Sequence, residues 1–173
     1  PVVWSEFILD VSKLARQNHL YVMMNSNGYV QERPLNELLE AVDVFKVDVK
    51  GFSDEFYRKS CGGTLSPVLR TCRMIRDAGK HLELAYLIIP GLNDGKEELE
   101  QFFVWAGGLG REVPVHLYRF MPAHRLSHLQ PTDMGAMREA KALAMSQGLK
   151  FVYLSGMVEG EEHRTLCPNC GAL

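Results

Sequence analysis

The sequence predicts an α/β fold built on a parallel sheet. Three observations carry this. Short apolar runs alternate with helical stretches that have one apolar face. The alternation repeats at intervals of roughly thirty residues, the length of a βαβ unit. Turn formers or a capping glycine punctuate the segments. Consecutive βαβ units are parallel and right-handed. The strands read as near-continuous apolar runs, which predicts that both sheet faces are covered. Two architectures satisfy the pattern: a (β/α) barrel, whole or partial, and an open doubly wound sheet. In both, ligands sit at the carboxyl ends of the strands, so chemistry is to be sought there.

Each element has its own signal. Trp4, Phe7, Ile8, Val11, Leu14 and Ala15 recur at helical spacing. Asn18-His19 ends that helix, and Leu20 to Met24 reads as a buried strand closed by Asn25-Ser26-Asn27-Gly28. A short helix follows, with Pro34 at its first position. Val44 to Lys50 is the second strand, closed by Gly51, after which Ser53 caps a helix to about Lys59. Cys61 to Thr64 is a loop, and a helix spans about Val68 to Ala78 with Gly79 as its cap. Leu82 to Ile89 is the third strand, stopped by Pro90-Gly91. Asn93 or Asp94 caps a helix to about Ala106, and Gly107 to Gly110 is a loop. Val113 to Phe120 is the fourth strand, and Met121 to Pro131 a long loop. Thr132 caps a helix to Gln147, and Lys150 to Leu154 is the fifth strand.

The chain has 173 residues, 46% hydrophobic and 23% charged, with a net charge of −2. This suits one globular domain and excludes a disordered tail, a coiled coil or a collagen-like repeat. Residues 1–154 read as that domain and residues 155–173 as a polar tail. No long-range field draws the chain to nucleic acid or an anionic membrane. The apolar runs are strand-sized, too short to span a membrane. Four cysteines are too few for a disulfide scaffold, and a reducing cytoplasm is the expected setting. The chain starts at Pro1 rather than Met and stops three residues after Cys170, which reads as a piece of a longer protein.

The strand ends carry polar residues that a core does not need. Residues two apart share a face of a strand, so Asp48 and Lys50 point together while Val47 and Val49 point to the helices. A carboxylate beside an ammonium can grip a zwitterionic or hydroxylated ligand. Asn25 and Asn27 follow the first strand, Ile89, Pro90 and Gly91 the third, and Arg119 and His124 the fourth. Taken singly these are bland: an ion pair, a turn, a strand terminator. Four polar strand ends converging on one rim favour a site. His81 and His116 read as core or helix-facing, and the methionines as packing. There is no glycine-rich phosphate loop and no nucleophile–base–acid set.

Cys167-Pro168-Asn169-Cys170-Gly171 is the knuckle of zinc-ribbon and rubredoxin-like sites. It supplies two of the four ligands tetrahedral zinc takes, so His163, water or another chain would have to complete a site.

The ordered set Asn25 to Tyr29, Val47 to Phe52, Phe56 to Gly62, Ile88 to Asp94, Tyr118 to Pro122 and Cys167 to Gly171 resembles the latter two-thirds of a radical S-adenosylmethionine (SAM) enzyme. The resemblance is to the pyruvate formate-lyase activating enzyme-like group, including the AmmeMemoRadiSam proteins, and covers nearly the whole chain. It implies a partial (β/α)6 barrel lacking its first strands. It also implies a [4Fe–4S] cluster that reduces SAM to a 5′-deoxyadenosyl radical, which takes hydrogen from a protein or small substrate. The family's C-x-x-x-C-x-x-C and G-G-E-P motifs are absent here. By residue match, Asn25 and Asn27 approach the SAM ribose, Asp48 and Lys50 contact the ribose and methionine ends, and Ile89, Pro90 and Gly91 run beside adenine. The family often has histidine where this chain has Met121, and His124 is the residue that would substitute.

The expectation is therefore a cytoplasmic radical SAM enzyme whose portion here is inactive alone and associates through an exposed sheet edge. Two other classes fit some of the residues. One is a class I aldolase-type lyase with Lys50 as Schiff-base nucleophile. The other is a non-catalytic module that docks a metal or partner at Cys167 and Cys170.

Overall fold

The computed structural model of the protein describes residues 2–156 and 164–172. Five strands form one parallel sheet in the order β1-β2-β3-β4-β5: Met23–Ser26, Val44–Asp48, His81–Ile88, Val115–Arg119 and Val152–Ser155. The helices are α1 (Ser5–Gln17), α2 (Glu32–Ala41), α3 (Asp54–Phe56), α4 (Ser66–Asp77), α5 (Lys96–Leu109) and α6 (Met134–Ser146). The unbroken strand order decides the architecture. A doubly wound sheet reverses its order at a switch point. Here every right-handed crossover returns to the same side, as in a (β/α) barrel, and the sheet remains open at β1 and β5.

The two faces of the sheet differ. Phe45, Val47, Leu82, Leu84, Tyr86, Ile88, Val115, Leu117, Val152 and Leu154 alternate along the strands and are buried against the helices. The other face carries Asn25, Lys46, Asp48, Glu83, His116, Tyr118 and Tyr153. The expectation that both faces are covered is thus corrected: only one is apolar and packed. His81 and His116, read as core or helix-facing, lie on the polar face as well, on either side of Glu83. The helix-facing layer is held by an aromatic chain in which Tyr86 meets Phe102 at 4.7 Å and Phe102 meets Trp105 at 6.1 Å.

Several boundaries move for identifiable reasons. β1 begins at Met23, and Leu20 and Tyr21 are exposed rather than part of a buried strand. The turn at His19, with φ 56°, delays entry to the sheet. On α1 only Ser12 is fully buried, whereas Phe7, Val11 and Leu14, and Trp4 just before the helix, are exposed. Helix α2 starts two residues before Pro34. Ser53 caps α3 as expected, its hydroxyl accepting from Phe56 N at 3.2 Å, but the segment then continues as a π-helical turn through Cys61. Helix α5 starts at Lys96 and runs through Gly107 and Gly108.

Two expected helix caps do other work. Asn93 is buried and bonds to three backbone groups around the β3 end. Thr132 Oγ1 donates to Ile88 O at 2.6 Å and accepts from Phe120 N at 2.9 Å, stapling the ends of β3 and β4. Asp133 caps α6 in its place, accepting from Gly135 N and Ala136 N.

Candidate functional site

The parallel register stacks the polar face in layers. Asn25, Lys46 and Glu83 form one row. Asp48, Ala85, His116 and Tyr153 form the next row toward the strand ends. Leu87, Tyr118 and Ser155 form the row beyond. A concavity of about 300 Å³ opens over these rows, lined by Asn25, Asp48, Lys50, Ala85, Leu87, Tyr118 and Arg119 among others. Small Ala85 leaves its floor open.

Asp48 and Lys50 are the charged centre. Lys50 Nζ lies 3.4 Å from Asp48 Oδ2, and both side chains are partly exposed. The main chain of Lys50 is clamped at both polar groups. Its N–H donates to the Tyr57 hydroxyl at 3.2 Å, and its C=O accepts from Asn93 Nδ2 at 2.7 Å. Two residues on, Phe52 N donates to Glu98 Oε1 at 2.6 Å. Tyr57 stands on the π-helical turn, and burial pushes its hydroxyl well above the usual phenol range. These bonds fix the main chain from which the Lys50 side chain rises beside Asp48.

Of the residues singled out from sequence, the concavity brings together Asn25, Asp48 and Lys50. Asn27 is exposed beside it, its Oδ1 accepting from Tyr29 N at 3.1 Å. Gly28, at φ 68°, holds that loop against β2: a Cβ there would meet Val47 Cγ1 at 2.8 Å. Ile89, Pro90 and Gly91 form the turn after β3. Ile89 N donates to Asn93 Oδ1, and Gly91 N to Asp94 Oδ1. Neither this turn nor His124, which is exposed at φ 49°, belongs to the lining of the concavity. Ala85, Leu87 and Tyr118 line it without having been singled out as site residues. Their signal was the alternation of Glu83-Leu84-Ala85 and His116-Leu117-Tyr118, a period of two that marks one distinct face.

The tail carries the other candidate. Gly171 N donates to Cys167 O at 2.8 Å, and Cys167 N to Ala172 O at 2.7 Å, closing a tight turn. Backbone N–H groups of Asn169 and Cys170 hold the Cys167 thiol below its ordinary range. Among the described residues, no group of three or more His, Cys, Asp or Glu is placed to hold a metal. His163 lies outside the described residues.

The family model of the radical SAM superfamily matches residues 1–104, more than half of the chain. The chain belongs to the radical SAM superfamily. An uncharacterized protein of Methanocaldococcus jannaschii is 40% identical over all of this chain, which covers 51% of that protein. The pyruvate formate-lyase 1-activating enzyme of Escherichia coli strain K12 is 19% identical over 95% of this chain and 67% of its own length. Among solved structures, a domain of a pyruvate-formate lyase-activating enzyme from Bacteroides vulgatus superposes with a TM-score of 0.78 at 16% identity, covering 90% of this chain and 94% of that one. The last likeness establishes the shared fold. This radical SAM chain spans about half the length of its Methanocaldococcus relative.

The residues present fit SAM in part. SAM offers a carboxylate, an ammonium and ribose hydroxyls, and the rim opposes to these an ammonium, a carboxylate and an amide around one concavity. They do not fit a [4Fe–4S] cluster, which takes three or four thiolates at one place. Cys61 is exposed after α3, Cys72 is buried in α4, and Cys167 and Cys170 stand on the tail.

Proposed function

We propose that this chain forms the SAM-holding wall of a radical SAM enzyme of the activating-enzyme type. The observation that carries the reading is the convergence of Asp48, Lys50 and Asn25 on one concavity at the carboxyl end of a parallel sheet. In this reading Lys50 meets the methionine carboxylate as a charge-assisted contact. Asp48 accepts from the ribose hydroxyls, Asn25 and Asn27 flank the ribose, and the Ile89-Pro90-Gly91 backbone lies beside adenine. His124 approaches the nucleoside from the loop after β4. When bound with a cluster, SAM supplies hydrogen-abstracting radical chemistry, directed at a protein or small substrate. The chain alone leaves that chemistry incomplete, because its cysteines cannot gather a cluster. The setting is the reducing cytoplasm.

Calorimetric titration of the chain with SAM tests the binding. Saturable binding is expected, weakened about tenfold or more, equivalent to about 1.4 kcal/mol, by Lys50→Ala and by Asp48→Ala. Equal affinity in the wild type and both variants would overturn the assignment. Anaerobic reconstitution with iron and sulfide is expected to give no [4Fe–4S] absorbance. A chain that assembled a cluster and cleaved SAM would contradict the claim of inactivity.

The aldolase reading loses ground on geometry, since a Schiff-base lysine sits in an apolar or cationic pocket and Lys50 sits beside a carboxylate. The tail supports a separate role. Its preformed turn, with N–H groups aimed at the Cys167 thiol, suits one half of a zinc site whose other ligands come from elsewhere. The open edge at β1 and the exposed apolar side of α1 support association with a second chain.

A further inference from the structure

We propose that the β3–β4 half of the concavity is a second-ligand subsite, with Ala85 as its floor and Tyr118 as its hydrogen-bonding wall, and that it takes an uncharged, apolar group of the second substrate. The inference rests on the reading that Asp48 and Lys50 hold SAM. It concerns the lining which that reading leaves over: Ala85, Leu87 and Tyr118. Ala85 shares a row with Asp48, His116 and Tyr153, and every other member of that row carries a longer side chain. The row is lowest at that methyl group, which leaves room in the concavity of about 300 Å³. Leu87 and Tyr118 are register partners one row further on, and both are half-buried.

The two halves of the concavity differ in charge. The β1–β2 half carries the Asn25 amide, the Asp48 carboxylate and the Lys50 ammonium, the last two 3.4 Å apart. The β3–β4 half carries a methyl group, an isobutyl group and a phenol ring. Arg119, the remaining charged residue of the lining, belongs by strand alternation to the helix-covered face, and its Nε donates to Thr132 O at 2.9 Å. Lys46 stands next to Tyr118 but outside the lining, its Nζ 5.7 Å from the ring centroid and 3.6 Å from Glu83 Oε2. A charged group brought over Ala85 and Leu87 would give up water without an opposite charge to meet, because Asp48 and Lys50 are engaged with each other and, in this reading, with SAM. An apolar group gains by leaving water there. One polar handle remains: among the described residues the Tyr118 hydroxyl has no hydrogen-bond partner. The subsite thus suits an apolar group with a single neutral polar atom.

The test is a titration of the 173-residue chain with benzyl alcohol, benzoate and benzylamine, three probes of similar shape and different charge, following the methyl signals of Ala85 and Leu87 by NMR. Benzyl alcohol is expected to give a saturable shift, and the two charged probes to bind several-fold more weakly. Ala85→Leu, which fills the floor, is expected to abolish the Leu87 response. Tyr118→Phe keeps the ring and covers an Ala85→Leu variant that fails to fold. It is expected to weaken benzyl alcohol several-fold and to leave toluene unchanged. SAM affinity, measured by calorimetry, is expected to be unaltered in both folded variants. A probe response without any SAM binding would keep the apolar subsite and overturn the SAM reading alone. A response that does not saturate, that is equal for the charged probes, that survives in Ala85→Leu or that is unaltered in Tyr118→Phe would overturn the subsite. So would loss of SAM affinity in a folded Ala85→Leu, which would give that floor to SAM itself and leave the SAM reading standing.

Discussion

Replacing Asn93 with alanine should unfasten the rim. The side chain is 1% exposed and makes three bonds to backbone. Its Oδ1 accepts from Ile89 N at 2.7 Å, and its Nδ2 donates to Lys50 O at 2.7 Å and to Leu87 O at 2.9 Å. Alanine leaves one N–H and two carbonyls without partners in a place built to exclude water. At ~1–2 kcal/mol for each group left unsatisfied, the loss is about 3–6 kcal/mol. That is a large part of the 5–15 kcal/mol typical of a whole domain. Urea unfolding followed by far-ultraviolet circular dichroism reads it as a lower midpoint at an unchanged slope. Asn93→Asp keeps the acceptor for Ile89 but turns an oxygen toward two carbonyls. It should cost at least as much at neutral pH and recover partly in acid, where a protonated carboxyl can donate. A midpoint for Asn93→Ala within ~1 kcal/mol of the wild type would refute the idea that Asn93 fastens β3 to the Lys50 main chain.

Four further outcomes are expected. Thr132→Val keeps the shape and removes the hydroxyl that joins Ile88 O to Phe120 N. It should cost about 2–3 kcal/mol in the same urea assay. For Glu83, burial pushes the carboxyl up, but His116, His81 and Lys46 together outweigh it and hold it below the ordinary 4.5. A depressed folded value means that its contribution is present above the unfolded value and is lost as pH falls through the folded one. The stability gap between wild type and Glu83→Gln should therefore be widest near neutral pH and close in acid, as thermal melts across pH would show. Thiol labelling at neutral pH should modify Cys167 first, because N–H donors favour its thiolate. Cys72 should stay silent until unfolding, since burial pushes its thiol up to about 12. Sedimentation should show self-association that weakens when Phe7 and Leu14, exposed on α1, are both changed to glutamate. A monomer at all concentrations would remove the case for pairing at that side.

The parts of the fold readable in the sequence were those that local patterns determine. Strand–helix alternation, Ser53 as a cap and the shared face of Asp48 and Lys50 follow from spacing along one segment. What escaped depends on partners far along the chain. Asn93 and Thr132 have the chemistry of helix caps and stand just before helices, yet their partners are Lys50, Leu87 and Ile88 on the neighbouring strand ends. Lys46, Glu83 and His116 meet only because the parallel register sets three strands side by side. The alternation in β3 and β4 is visible in the sequence, but apolar content masks it, so that a polar face reads as a covered one. On α1 the periodicity was real, but it could not say that most of the stripe faces away from the sheet. The rim pair is legible because two charges at the end of a parallel strand have few structural reasons to be there; the bonds that hold the Lys50 main chain are not.

Asp48 and Lys50 are proposed to look into a nucleoside pocket, and affinity labelling tests this most directly. Periodate-oxidised adenosine carries its aldehydes where the ribose hydroxyls were, and borohydride fixes them to any amine within reach. Peptide mapping after labelling should find Lys50 as the principal modified lysine, with the modification suppressed by SAM and reduced in Asp48→Ala. Label distributed over the surface lysines, unaffected by SAM, would contradict the account.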